Sequence, residues 1–430
     1  MEIVFNENKK SYLDKESLRI LGMMVKVGKN VKEDELGVKA YNGDICIGLK
    51  YEDCTQFSKI VDSIYKEKSV SKFISQEFIY KQCLMWLVYK YNKATKQKFS
   101  DFIKEKLEES VKTYYFHFPV LHLDFSEYAP MVMGNNATLH YFGDNHFDVL
   151  SVDFEKKYPN EKENNPYIAL KEKYRNQLMI TYPVTAEKIR GEEIAFTHCS
   201  LAVDILKILS EVHSSSPASH VSFDIDRRVK ELSKSEMMYQ LQFDNNSIRL
   251  EVKKVAHEHK IRKDDSRSEI SSRFNLVNGF LFRLDGIPNE LNSLLINNIR
   301  RYANALSNPD LHQRVVEIFT IFESLLLKDE NASILDSICK YAPKLIFQKA
   351  AISEGLMPLR KAVVKLLKGL YQVRSAMIHH GEKKPFPLED LRMLQISVLS
   401  LILGIAQKSK THTTKMSLLT EIDEAIIDAY

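Results

Sequence analysis

Four runs of apolar residues at helical spacing fill the last third of this 430-residue chain, and breakers separate them. In each run an apolar side chain recurs every three or four residues, which places these side chains along one stripe of a helix. The stripes run from Leu291 to Leu306, Leu311 to Leu326, Leu359 to Met377 and Leu388 to Ile405. Mostly short connections make neighbouring helices turn back, so the sequence predicts an antiparallel bundle. Residues 334–349 predict two shorter helices interrupted at Pro343.

The first two-thirds of the chain mixes strand-like and helix-like patterns. The turn signal Tyr41-Asn-Gly-Asp44 precedes a short strand candidate that begins at Ile45. The other predicted strands are Tyr114–Phe125, Thr138–Tyr141, Asp148–Val152, Gln177–Pro183 and a strand–turn–strand over Met237–Val255. The predicted helices are Phe73–Tyr91, Asp101–Lys112 and Glu192–Val212. The predicted fold class is therefore α+β, with a mixed strand and helix N-terminal portion followed by an all-α helical bundle. We divide the chain into segments 1–112, 113–285 and 286–430.

Charge and cysteine usage limit the class of protein. The chain has 61 basic and 57 acidic residues, so a nucleic-acid site depends on a local patch rather than on the net charge of +4. Five cysteines without a C-x-x-C pair favour a reducing compartment over a disulfide or zinc framework. The N-terminus lacks a signal-peptide pattern, and no apolar run reaches the roughly 18–20 residues of a membrane span. We expect a cytoplasmic protein without membrane contact. Motifs for phosphate loops, dinucleotides or metal clusters are missing, so we expect no metal and no cofactor.

An arginine, a serine and two histidines end the third stripe, in Arg374-Ser-Ala-Met-Ile-His-His-Gly381. Arg374 lies four residues after Leu370 and therefore falls on the apolar stripe. A buried guanidinium needs an anionic partner, because an unpaired buried charge is costly. Glu323 interrupts the second stripe in the same way, so we predict an ion pair between Arg374 and Glu323.

The position of the histidines depends on where the helix ends. His379 follows Arg374 by five residues, about 140° around an ideal helix. Glycine readily takes the left-handed capping conformation, so we expect the helix to end at Gly381 and His379 to turn toward Arg374. The helix dipole in the last turn favours an imidazolium. His380 is the other candidate, and the spacing alone leaves this choice open, with His379 preferred.

These residue types suit the cleavage of RNA without a metal. A histidine can remove the proton of a 2′-hydroxyl or protonate the leaving 5′-oxygen near neutral pH. An arginine can bind the phosphate in bidentate fashion and stabilise the additional charge of the pentacoordinate state. The expected products are a 2′,3′-cyclic phosphate and a 5′-hydroxyl. Arg300 and Arg301, on the first helix of the bundle, are candidates for lining an RNA channel.

Residues 286–408 resemble the HEPN superfamily, and specifically its Apea-like branch. The superfamily motif is Arg, four to six residues, then His on a four-helix bundle, with a polar residue commonly after the Arg; here that residue is Ser375. The Apea-like pattern also has a paired-basic helix and a helix with Glu-x-Leu-Leu. These are matched by Ile299-Arg-Arg-Tyr302 and Phe322-Glu-Ser-Leu-Leu326.

The resemblance implies a function and a mode of assembly. It implies catalytic roles for Arg374, Glu323 and one of the two histidines, and contact of Ser375 with RNA. Family members usually bring two motifs into one composite cleft, which implies a homodimer or a larger homo-oligomer. Many Apea-like proteins look like abortive-infection effectors or toxins, in which an N-terminal sensor domain responds to a phage-derived trigger. In this view residues 113–285 form the sensor domain and residues 286–430 the nuclease domain.

Two other interpretations stay open. An arginine and a histidine at a helix C-terminus are also favoured by the helix dipole alone. In the first interpretation, the bundle is then an inactive HEPN module that binds RNA or protein and acts as a dimeric scaffold. In the second, the N-terminal half binds a phage component and the bundle only dimerises.

Overall fold

A computed structural model describes most of the chain. The described residues are 2–28, 31–42, 45–124, 130–133, 137–143, 148, 151–152, 154–156, 159–160, 165, 168, 171–172, 174–211, 221, 223–225, 242–244, 247–249, 259–260, 289–329, 331–347 and 357–427. They form two compact units. The first contains residues 1–116, 183–197 and 242–248, and the second contains residues 117–182, 198–241 and 249–430. The three-part division at residues 112 and 285 stays a prediction, and residue 285 lies outside the described residues.

The first unit packs helices around an apolar core and a small sheet. Its helices are α1 (Glu7–Leu21), α2 (Cys54–Tyr65), α3 (Lys68–Ser71), α4 (Gln76–Tyr91) and α5 (Phe99–Ser110). Its three-stranded antiparallel sheet has the order β1 (Val25–Lys26), β3 (Ile45–Lys50), β2 (Leu36–Asn42). The strand predicted from Ile45 and the helices predicted around residues 73–91 and 101–112 are confirmed. Trp86 and Phe57 lie in the core of this unit at 1% exposure each.

Nine further strands follow in the described part of the chain. They are β4 (Lys112–Leu121), β5 (Leu123–Asp124), β6 (Met131–Val132), β7 (Thr138–Tyr141), β8 (Leu178–Ala186), β9 (Asp224–Ile225), β10 (Gln242–Asp244), β11 (Ser247–Arg249) and β12 (His259–Lys260). Within the first unit β10 pairs antiparallel with β4. Within the second unit the antiparallel pairs are β6 with β7 and β7 with β8. In the second unit β9 pairs with the end of β4, and β12 pairs with β5. Helix α6 (Lys188–Glu211) follows β8, as predicted from its apolar period.

The C-terminal region is all-helical. Its helices are α7 (Glu290–Ser307), α8 (Leu311–Leu326), α9 (Ile334–Ile346), α10 (Met357–His380), α11 (Leu388–Lys408) and α12 (Lys415–Ile427). Helix α8 packs against α7, α9, α10 and α11. The connection of α7 to α8 has three residues, which makes these packed helices antiparallel. The predicted α+β class, with a mixed N-terminal portion followed by a helical region, is confirmed.

The predicted helix boundaries have local causes. Asn308-Pro-Asp310 ends α7, and the Asp310 side chain accepts hydrogen bonds from the His312 and Gln313 backbone N–H groups at the start of α8. Ile299, Phe319, Leu370 and Ile402 are at most 2% exposed, one on each of four helices. Burial of a side chain of this size stabilises the fold by roughly 1.5–3 kcal/mol. Leu359 differs from the prediction, because it is half exposed at the start of its stripe.

Two predicted elements are wrong. Pro343 does not divide residues 334–346, which form the single helix α9 with Pro343 buried inside it. Proline removes one backbone hydrogen bond there, but burial of Tyr341 and Leu345 on either side keeps the last turn helical. The predicted strand over residues 148–152 is helical at residues 148, 151 and 152. Side-chain contacts position this segment: Lys171 forms an ion pair with Asp148, and the Asn165 amide donates a hydrogen bond to the Ser151 hydroxyl.

One carboxylate of the last helix, Asp423, predicts a pH dependence of stability. Asp423 on α12 accepts a hydrogen bond from Tyr341 at 3.0 Å and lies 2.8 Å from Lys328 and 2.9 Å from Lys340. Burial raises its pKa, but these three groups outweigh burial and lower the pKa to about 2. An acid with a lowered pKa stabilises the fold above its unfolded value of about 3.9, and this stabilisation is lost as the pH falls toward the folded value.

We therefore expect Asp423→Asn to lower the free energy of unfolding by about 1 kcal/mol at pH 7, after allowance for solvent screening. The difference from wild type should shrink as the pH falls from 4 toward 2. Urea unfolding at several pH values measures it, and a difference that stays constant to pH 3 contradicts this role of Asp423.

Within the described residues, no helix has both the length and the apolar character that a membrane crossing requires.

Candidate active site

Helices α8 and α10 each contribute one charged side chain to an ion pair between them. Arg374 Nη2 on α10 donates to Glu323 Oε1 on α8 at 2.6 Å. The Arg374 side chain is 10% exposed and the Glu323 side chain 19%, so the pair is largely shielded from water. The ion pair predicted from the two interrupted stripes is present. It fixes the position of the guanidinium relative to the end of α8.

The surroundings of the pair restrict the guanidinium further. Burial raises the pKa of the Glu323 carboxyl, and the charge and hydrogen bond of Arg374 act against this rise. The guanidinium carbon lies 5.5 Å from the centre of the Tyr371 ring, which supports it by a cation–π contact. Tyr371 in turn packs edge-on against Phe319 of α8. Tyr371 was missed in the sequence, although its place one turn before Arg374 was a usable signal.

The histidines lie in the last turn of α10 and the helix ends at Gly381, as predicted, but His379 does not turn toward Arg374. The helix continues through His379 and His380, and Gly381 follows with φ +65°. The Gly381 N–H donates to the Met377 carbonyl at 3.1 Å, as a left-handed cap requires. Since both histidines keep helical geometry, the end of the helix does not turn His379 toward Arg374, and this part of the prediction is wrong. Both imidazoles are exposed, with ring centres 6.3 Å apart.

The segment after Gly381 is anchored to the start of α8. Lys383 Nζ lies 2.6 Å from Asp310 Oδ2. His312 Nε2 is 2.9 Å from the Lys384 carbonyl oxygen, and its ring packs against Phe386 with centres 5.1 Å apart. These contacts hold the backbone that follows the histidines, so the exposed end of α10 has a defined path.

The other residues proposed for RNA binding lie apart from the ion pair. Arg300 is half-buried and Arg301 exposed on α7, whose main packing partners are α8 and α11 rather than α10. Neither arginine forms a hydrogen bond or an ion pair with Arg374 or Glu323 within the described residues. Ser375 is half-buried beside Arg374 on α10. The roles of Arg300, Arg301 and Ser375 in RNA binding stay predictions.

No protein-family model, no curated protein and no solved structure matches this chain. The likeness to the HEPN superfamily therefore rests on the residues of α7, α8 and α10 alone. Within the described part of the chain, no group of three or more His, Cys, Asp or Glu side chains is arranged to hold a metal ion.

The buried pair predicts an asymmetric response to truncation. Glu323→Ala leaves the Arg374 guanidinium without an anionic partner, and arginine cannot become neutral by losing its proton. We therefore expect a loss of about 2–4 kcal/mol in the free energy of unfolding. Arg374→Ala leaves a carboxyl whose pKa burial already raises, so this group can take up a proton instead. An acid with a raised folded pKa loses stability as the pH rises, so the cost of Arg374→Ala should be smaller and should diminish as the pH falls from 7 toward 5.

Urea unfolding of both variants across this pH range measures the asymmetry. The matched control is Lys383→Ala, which removes a pair whose side chains are 54% and 35% exposed and should cost under about 1 kcal/mol. Equal costs for Glu323→Ala and Arg374→Ala at every pH contradict this account of the pair.

Proposed function

We propose that this protein is a metal-independent endoribonuclease of HEPN type. The observation that carries the proposal is the ion pair between Arg374 and Glu323. Arg374 lies on α10, the same helix that ends in His379 and His380 before Gly381. A fixed guanidinium and an exposed imidazole are the two groups that transesterification of RNA needs. The pattern of α7, α8 and α10 residues shared with the Apea-like branch supports the same function.

In the proposed reaction the histidine takes the proton of the 2′-hydroxyl, and the 2′-oxygen attacks the adjacent phosphorus. The bond from phosphorus to the 5′-oxygen then breaks, and this oxygen receives a proton from the imidazolium, which returns the histidine to its neutral form. Arg374 binds the non-bridging oxygens and stabilises the charge that develops on them. Glu323 does not contact the phosphate in this scheme; it holds Arg374 in position. The products are a 2′,3′-cyclic phosphate and a 5′-hydroxyl, and water is not consumed in this step.

Helix geometry favours an active site shared between two copies of the chain. Within regular α10, His379 projects about 140° away from Arg374. One chain therefore does not present both groups to one phosphate through the helix end alone. If the imidazole comes from a second copy, both groups can reach the same phosphate. We accordingly propose a homodimer, as the HEPN resemblance also implies.

The biological role follows from the resemblance. We propose an abortive-infection effector or toxin of the cytoplasm, whose N-terminal portion responds to a phage-derived trigger and whose C-terminal helices cleave RNA.

The second candidate function is a catalytically inactive module that binds RNA or protein as a dimeric scaffold. The observation that favours it is the absence, within the described residues, of any contact between the histidines and Arg374. Incubation of the purified protein with labelled RNA in EDTA separates the two functions. Cleavage supports the nuclease, whereas RNA that is retained intact supports the module.

A further inference from the structure

Helix α10 concentrates positive charge. Its 24 residues contain five basic side chains and no acidic one, although the whole chain has a net charge of only +4. Four of the five basic residues precede the ion pair, between residues 360 and 368, and only Arg374 has a carboxylate partner within the described residues. The unpaired charges thus cluster in the first half of the helix.

A cavity of about 450 Å³ lies between α9 and this half of α10. Apolar contacts come from Pro343 and Val364. Six basic residues line the cavity: Lys340, Lys344, Arg360, Lys361, Lys365 and Lys368. Lys340 is paired with Asp423, and the other five form no ion pair within the described residues. We call these six residues the basic groove.

The positive charges of the basic groove are unfavourable for the stability of the helices that form it. Arg360 lies in the first turn of α10, where the positive end of the helix dipole disfavours cations. Burial lowers the pKa of Lys344, and the neighbouring charges of Arg360 and Lys340 lower it further. The Nε atom of Arg360 is buried without a hydrogen-bond partner within the described residues. A bound anion would relieve each of these costs.

The groove is continuous with the end of α10 that carries the histidines. Residues spaced by three or four positions share one face of a helix. His379 lies 18 residues after Lys361, which is a whole number of helical turns. It therefore projects in the same direction as Lys361, about 27 Å farther along the helix axis. His380 lies about 100° away from this face. The face consists of Lys361, Lys365, Lys368, Gln372, Ser375 and His379, of which all but half-buried Ser375 are exposed.

We propose that the basic groove binds the sugar-phosphate backbone of single-stranded RNA and directs it along this face of α10 to His379. The inference rests on the proposed nuclease function and adds the path of the substrate. Phosphate oxygens are the anions that unpaired Lys and Arg side chains prefer in an RNA site, and they need no particular base sequence. At about 3.4 Å per nucleotide of a stacked strand, 27 Å corresponds to about eight nucleotides, and to fewer in an extended strand. The path also assigns His379, rather than His380, to the scissile phosphate.

The test measures binding of a fluorescent 12-nucleotide RNA by anisotropy in a His379→Ala background, which keeps the RNA intact. The variant K361Q/K365Q/K368Q should bind roughly tenfold to a hundredfold more weakly at 0.1 M salt. Its slope of log K against log salt should fall by about 2, at ~0.7 per phosphate contact. The charge-matched control is K15Q/K59Q/K66Q, which removes three exposed lysines of the first unit and should bind as the parent does. Equal affinity of the two triple variants would overturn the proposal.

Stability and substrate length separate a binding role from damage to the fold. Since the three lysines form no ion pair within the described residues, their replacement should leave the melting temperature unchanged or higher. In protein with intact His379, the triple variant should cleave the 12-nucleotide RNA more slowly but a trinucleotide at the wild-type rate. Equal slowing of both substrates contradicts a groove that acts at a distance from His379. Displacement of the 12-nucleotide RNA by mononucleotide at the same nucleotide concentration contradicts an extended path and assigns the groove to a small phosphorylated ligand.

The experiments distinguish the two proposals. If the His379→Ala protein binds RNA through the three lysines but the wild type does not cleave RNA, the nuclease function fails while the groove remains an RNA site. If the wild type and the K361Q/K365Q/K368Q variant cleave the 12-nucleotide RNA equally, the groove proposal fails and the nuclease function stands.

Discussion

Arg374→Ala and His379→Ala should each lower the rate of RNA cleavage in EDTA by about 10²–10⁴-fold. The arginine supplies the positive charge that stabilises the pentacoordinate phosphate, and loss of such a group costs about 10²–10³ in rate. The histidine supplies proton transfer, which contributes about 10²–10⁴. Single-turnover cleavage of a labelled RNA measures both effects, and far-UV circular dichroism shows that the variants are folded.

Two control variants test whether these losses are specific to Arg374 and His379. His380→Ala, one residue from His379 and equally exposed, should change the rate by less than about tenfold, because it lies about 100° away from the proposed RNA face. Lys410→Ala removes an exposed charge outside α10 and should have no effect. A loss for His380→Ala as large as that for His379→Ala contradicts our choice between the two histidines. Wild-type rates for both Arg374→Ala and His379→Ala contradict the proposed active site altogether.

Mixed dimers should regain activity that neither parent has. If Arg374 of one chain acts with His379 of its partner, a dimer of Arg374→Ala and His379→Ala chains contains one intact active site and one that lacks both groups. Random assortment makes half of the dimers mixed, and each has one of two sites intact, so the mixture should show about a quarter of the wild-type rate.

Co-expression of the two variants with different affinity tags isolates the mixed dimers, which should then show about half of the wild-type rate. The control is co-expression of two differently tagged Arg374→Ala chains, which should stay inactive. Mixed dimers as inactive as the parents place Arg374 and His379 of the same chain at one phosphate, and a monomeric protein with full activity excludes the shared site.

The C-terminal helices could be predicted from the sequence because their signals are local. The stripes set which face is buried, and Asp310 and Gly381 cap particular helix ends. The Arg374–Glu323 pair was also predictable, since a charge on an apolar stripe requires a partner, and Glu323 interrupts the adjacent stripe. Each of these inferences needs only the helical period and the cost of an unpaired buried charge.

Other features depend on tertiary contacts that the sequence pattern does not contain. Pro343 remains inside α9 because its neighbours are buried, and no local rule for proline includes that burial. The orientation of His379 depends on whether α10 frays before or after the histidines, and glycine capping is compatible with both. The basic groove could not be predicted from the sequence, because Lys340 and Lys344 lie on a different helix from the lysines of α10. Only the packing of the two helices brings these residues together.

The chemistry of the cleaved ends tests the central claim most directly. Purified wild-type protein should cleave a labelled RNA in EDTA and leave a 2′,3′-cyclic phosphate on one fragment and a 5′-hydroxyl on the other. The same sequence with 2′-O-methyl groups should stay intact, because it lacks the attacking hydroxyl. Fragments with 3′-hydroxyl and 5′-phosphate ends, or cleavage of the methylated strand, would contradict an attack by the 2′-oxygen at Arg374 and His379.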